Sequence, residues 1–139
     1  MKQPIKFILF WLLVTLVSSA NHVQWLGDYD TALQLAHKEH KSLLVLVVKH
    51  KDPLSNTIIK NQFMNHEYVD KINEQMVAVI VTYEGRISYP IEMYYTRVFP
   101  TLFFVDTKTE IFMRKPLYGE QISQKALRQY FQPSHLKIK

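Results

Sequence analysis

Leu43-Leu44-Val45-Leu46-Val47-Val48, running through Lys49-His50-Lys51 into Asp52-Pro53-Leu54-Ser55, is the stretch on which the fold turns. Its six apolar residues show no alternation with polar ones, so both faces of the strand need cover, as in a central strand between two helical layers. Asp52 and Pro53 then read as a helix start. Aspartate is a preferred N-cap, and proline at the first helical position gives up only an N–H that would have had no partner there. Leu54, Ile58, Ile59 and Phe63 continue an apolar helical face, and Asn65-His66 is expected to end it.

Downstream, a short helical turn from Glu67 to Ile72 leads to Met76-Val77-Ala78-Val79-Ile80-Val81, a second uninterrupted apolar strand. Two such strands joined through a helix form a βαβ crossover. Upstream, Tyr29, Ala32, Leu33 and Ala36 recur at helical spacing behind a potential Asp28 cap, with Trp25 and Leu26 as an apolar anchor before them. Thr101 to Val105 and Glu110 to Met113 flank the polar turn Asp106-Thr107-Lys108-Thr109 and read as an antiparallel hairpin. Pro100 stands just before it, where a proline disturbs no ladder and where a cis peptide is most readily accommodated. Gln121 to Phe131 is expected to be a closing helix that covers the sheet with Ile122, Leu127, Tyr130 and Phe131, after a turn at Gly119. The succession implies an α/β domain with a central mixed sheet and helices on both faces.

The composition suits one domain: 139 residues, 47% hydrophobic, with only 3 glycines and 6 prolines to spend on linkers. Residues 1–20 read as an export signal, with Lys2 and Lys6 as the basic start, Phe7 to Val17 as the apolar segment and Ser18-Ser19-Ala20 as the cleavage site. An apolar run of roughly eleven residues falls short of the about twenty that span a bilayer, although an uncleaved anchor is the alternative. The expected domain is then 21–139, and a periplasmic or secreted location follows. Removing the signal lowers the formal charge from +5 to about +3, too little to indicate nucleic-acid binding when the basic residues are dispersed. With no cysteine available, packing alone must hold the exported domain.

Taken together, Trp25, the Lys41-to-Val48 strand and Phe99-Pro100-Thr101-Leu102-Phe103-Phe104-Val105-Asp106 resemble the thioredoxin superfamily, and small exported thioredoxin-like proteins in particular. The resemblance runs from Trp25 to Phe131. It implies that Phe99, Pro100 and Thr101 form a cis-proline loop. It also implies that Asp52 and Ser55 stand where the family's nucleophilic and resolving cysteines stand, making Asp52, Pro53, Leu54 and Ser55 a degenerate active-site segment. In relatives the cysteine sits at a helix start because the positive end of the helix dipole stabilises a thiolate. Here Asp52 is expected to use that position for capping.

Other chemistries find weaker footing. Ser55 as a nucleophile needs a base within reach, for which His50 is the nearest residue in sequence; as a first-turn helix residue it needs none. His37 and His40, three apart on the first helix, suggest a metal site only if Glu92 or Asp52 comes close, and no established ligand spacing supports one. No cofactor is expected. Tyr83, Tyr89, Tyr94, Tyr95 and Phe99 read either as rings packed under the sheet or as anchors for a bound peptide. The functional expectation is a redox-inactive, exported binding or accessory module, chaperone-like, of the cell envelope with a protein or peptide partner and no nucleic acid. A thiol-independent enzyme or a histidine-dependent metal binder is the alternative.

Overall fold

The computed structural model describes residues 21–132, so the export-signal reading of residues 1–20 lies outside the described residues. The strands are β1 (Trp25–Leu26), β2 (Ser42–Lys49), β3 (Met76–Tyr83), β4 (Thr101–Asp106), β5 (Ile111–Phe112) and β6 (Leu117–Tyr118). The helices are α1 (Tyr29–Glu39), α2 (Pro53–Gln62), α3 (Glu67–Gln75) and α4 (Gln124–Phe131), with a 3₁₀ turn at Gly119–Gln121. The strands form one mixed sheet in the order β1-β3-β2-β4-β5, with β6 also paired to β4. β1 and β2 run parallel to β3, whereas β4 is antiparallel to β2.

The missing alternation in β2 has a direct structural cause. Leu43, Val45 and Val47 point to one face, where Tyr29, Ala32 and Ala36 of α1 cover them. Leu44 and Leu46 point to the other, toward Ile58 of α2, Tyr68, Val69 and Ile72 of α3, and Leu127 and Phe131 of α4. Each face carries its own core, so a period of two exists in space that the residue types conceal.

Several boundaries differ from the sequence expectation. Trp25 and Leu26 form a parallel edge strand opposite Ala78 and Val79, and Trp25 also meets Phe63 edge-on at 5.1 Å. Only two residues were available to signal that strand, too few for any periodicity to register. α2 ends at Gln62 with Phe63 as its C-cap, earlier than Asn65-His66, because the Phe63 carbonyl is drawn outward to accept the Val23 N–H at 3.0 Å. α3 runs on to Gln75, three residues beyond the expected Ile72. The closing helix begins at Gln124 and not at Gln121, since the Ser123 hydroxyl accepts the Ala126 N–H at 3.2 Å and caps it there. In the hairpin, Glu110 lies in the left-handed region at φ 56°, leaving Ile111 and Phe112 as the paired residues.

Tyrosines carry much of both cores. The Tyr29 and Tyr94 hydroxyls share a buried hydrogen bond of 2.7 Å, and Tyr94 also meets Phe103 edge-on. Tyr68 donates to the Gln62 carbonyl while its ring stacks on His66. Burial pushes the Tyr68 phenol up to about 12 and raises those of Tyr29, Tyr94 and Tyr130 from their ordinary value near 10. Because the folded state disfavours these phenolates, their stabilising effect is complete below pH about 10 and is lost as pH rises toward the folded values. Denaturant midpoints are therefore expected to hold up to about pH 10 and fall steadily to about pH 12. Tyrosinate absorbance should lag in the native protein relative to the chain in urea. Coincident native and unfolded titrations would contradict this.

Candidate functional site

At the carboxyl end of β2 the chain makes a tight turn in which the Asp52 N–H donates to the Lys49 carbonyl at 3.2 Å, with Lys51 at φ 58°. Asp52 then caps α2. Its Oδ2 accepts the Ser55 N–H at 3.2 Å and the Ser55 hydroxyl at 2.6 Å, while Pro53 fills the first helical position. Ser55 is only 2% exposed, and Leu54 is half-buried against the core on the α2 face. Asp52 and Ser55 thus serve one another: the carboxylate satisfies helix donors, and the serine hydroxyl donates to it.

The second half of the site lies across β2. Pairing of Val47 with Thr101 brings Pro100 beside the end of the strand that delivers Asp52. The Phe99–Pro100 peptide is cis. Two threonines brace the loop: the Thr101 hydroxyl donates to the Val98 carbonyl at 2.6 Å, and Thr96 Oγ1 accepts the Val98 N–H at 3.1 Å while touching Thr101 Oγ1 at 2.9 Å. From the far side, Gly119 donates its N–H to the Pro100 carbonyl at 2.8 Å. Gly119 has φ 54°, and a Cβ there would sit 3.4 Å from Val98 Cγ1, so the position favours glycine on two counts. The polar groups of Val98 and the Pro100 carbonyl are therefore used internally. Among the described residues, the N–H and C=O of Phe99 form no hydrogen bond.

Its ring is half-buried against Tyr83 at a centroid distance of 5.2 Å, on the α1 face of the sheet. Leu54 and Phe99 consequently belong to different cores on opposite faces, and the exposed apolar surface near Pro100 comes from residues that the sequence did not single out. Val98 is 45% exposed and Tyr118, paired with Thr101, is 40% exposed. Of the aromatic run, Tyr94 is core, Tyr83 and Tyr89 are half-buried, and Tyr95 is 59% exposed. Burial raises the Tyr89 phenol, with Tyr83 as a smaller contributor.

The histidines do not share a helix face, because His40 leaves α1 as a left-handed C-cap at φ 55°. Among the described residues no group of three or more histidine, aspartate and glutamate side chains is placed to hold a metal ion. Ser55 meets a carboxylate and no imidazole, and His50 is exposed. No helix among the described residues is long and apolar enough to cross a membrane.

No family model matches the chain. It is 30% identical over 87 residues to a Borreliella burgdorferi protein described as uncharacterized, a match covering 60% of this chain and 35% of that protein's length. Among solved structures, a thioredoxin from Thermus thermophilus superposes with a TM-score of 0.61 at 18% identity, covering 78% of this chain and 87% of the other. DsbH oxidoreductase gives 0.57 at 15%, covering 75% and 81%. A candidate disulphide-isomerase from Bacteroides thetaiotaomicron gives 0.63 at 17%, covering 87% and 100%. The chain has the thioredoxin-like fold, and with no cysteine in its 139 residues it has no thiolate with which to attack a disulfide.

If positions 52 and 55 are the structural equivalents of the missing cysteines, the double substitution Asp52→Cys/Ser55→Cys should form an intramolecular disulfide under a mild glutathione buffer. The same protein should lose about 1 kcal/mol from the vanished cap when reduced. Two thiols that stay free in oxidising buffer would break the equivalence.

Proposed function

We propose that this protein is an exported, redox-inactive binding module of the cell envelope that holds an extended polypeptide segment beside the Val98–Pro100 loop. Phe99 carries the reading: a donor and an acceptor on one residue, both unpaired, between Val98 and Pro100, whose main-chain polar groups are satisfied. Unpaired backbone groups at the end of a sheet suit recognition by β-strand addition, in which main-chain bonds supply affinity and adjacent side chains supply selectivity. Val98 and Tyr118 offer those side-chain contacts. The Asp52 to Ser55 segment borders the surface as a rigid, capped helix start.

Binding of this kind needs no thiol. The braces from Thr96, Thr101 and Gly119 hold the loop without a ligand, which lowers the ordering cost that a flexible loop would impose on association. Export agrees with the basic and apolar character of residues 1–20. A protein or peptide partner in the envelope is the occupant that this surface would meet.

A photo-crosslinking side chain placed at Val98 in cells should trap a discrete partner, while the same group at exposed Lys71 on α3 should not. Val98→Glu should weaken capture of that partner by roughly tenfold or more while shifting the thermal midpoint little, because the side chain is largely in solvent. Equal capture by wild type and Val98→Glu, or crosslinks of equal yield from Lys71, would refute the reading.

A further inference from the structure

A concavity lies on the other side of β2 from Pro100. It is a cleft of about 820 Å³ at the carboxyl ends of the three parallel strands, bounded by Gly27 after β1, Lys49 and His50 at the end of β2, and the β3 end continuing into Glu84–Ile87. Its position follows from the topology. The chain leaves β2 toward α2 on one face, whereas it leaves adjacent β3 toward Tyr89, Met93 and Tyr94 on the other. Where neighbouring connections diverge to opposite faces, the sheet opens a crevice at the strand ends, the customary place for a ligand in open α/β sheets.

Two observations mark this cleft as more than a gap. Its rim is built from matched turns on adjacent, in-register strands. The Asp52 N–H bonds the Lys49 carbonyl with Lys51 at φ 58°, and the Gly85 N–H bonds the Thr82 carbonyl at 2.9 Å with Glu84 at φ 59°. Non-glycine residues pay for that conformation, and such strain tends to collect at ligand sites. Gly85 is required by its turn, because a Cβ there would lie 2.8 Å from the Thr82 carbonyl oxygen. The second observation is charge. Lys49 and Arg86 line the cleft, and among the described residues neither forms an ion pair. Ile80, Tyr83 and Ile87 supply apolar wall, and Glu84 is the one acidic residue in the lining, with Asp52 of the rim turn engaged in capping α2.

We propose that this cleft binds a small molecule carrying a phosphate or carboxylate on an apolar body, with Lys49 and Arg86 holding the anion and Tyr83 and Ile87 the body. The volume lies within the roughly 300–1,000 Å³ typical of small-molecule sites. Tyr83 packs on Phe99 and so borders both sites, but Lys49, Glu84 and Arg86 carry the test of the cleft and Val98 carries that of the Phe99 surface, so either can fail without the other.

The test is an amide chemical-shift titration of the full chain with phenyl phosphate, phenylacetate, inorganic phosphate and benzyl alcohol. The first two distinguish a phosphate from a carboxylate ligand, and at least one should give saturable shifts confined to residues around Gly27, His50, Gly85 and Arg86. Inorganic phosphate and benzyl alcohol should bind more weakly by roughly tenfold or more, since each lacks half of the recognised chemistry. Lys49→Gln/Arg86→Gln should weaken the favoured probe by roughly tenfold, and Glu84→Gln should tighten it by removing a like charge. Benzyl alcohol binding as well as the anions, a double variant with unchanged affinity, weaker binding by Glu84→Gln, or shifts lying elsewhere would each overturn the proposal.

Discussion

The whole molecule depends on β2 being buried on both faces and paired on both edges. Leu43 to Val47 have no solvent exposure at all, and the strand is hydrogen-bonded to β3 on one side and β4 on the other. Truncating one such leucine to alanine ordinarily costs about 2–5 kcal/mol, a large share of the about 5–15 kcal/mol that stabilises a domain of this kind. With no disulfide to assist, that double burial must carry the domain. The same strand sets the geometry of both candidate sites: its carboxyl end feeds the α2 cap, sits beside Pro100 through the β4 register, and lines the cleft at Lys49 and His50.

The start of α2 is satisfied locally, without a thiol. A helix start in this fold offers unpaired N–H groups and a positive dipole end, which can stabilise a thiolate or satisfy a capping carboxylate. Asp52 takes the second option and recruits the Ser55 hydroxyl as well, so the helix start is a closed hydrogen-bonded unit. The proline loop follows a different course. Its threonines and Gly119 fasten Val98 and Pro100 and leave Phe99 open.

How much of this was legible in the sequence depended on how locally each feature is encoded. β2, β3, the Asp52-Pro53 helix start and the 99–106 segment carry their signals in consecutive residues and were readable from them. β1 and β6 are two residues each and exist through pairing with Ala78, Val79, Thr101 and Leu102, none of which is near in sequence. The same limit hid Gly119 as a part of the loop, since it reaches Pro100 by a hydrogen bond across nineteen positions. His37 and His40 misled for the opposite reason: their spacing is helical, but the left-handed cap at His40 ends the helix first. Leu54 and Phe99 are at the expected positions yet belong to separate cores, a fact fixed only when the two sheet faces are assembled.

Hydrogen exchange at one amide tests the central claim most directly. The Phe99 N–H, without a partner in the free protein, should exchange at least about tenfold more slowly when the segment trapped through Val98 is bound, because it becomes a donor to that segment's backbone. The Gly119 N–H, already bonded to Pro100, should change little. Unaltered exchange at Phe99 in a saturated complex would contradict the account and place the binding surface elsewhere on the molecule.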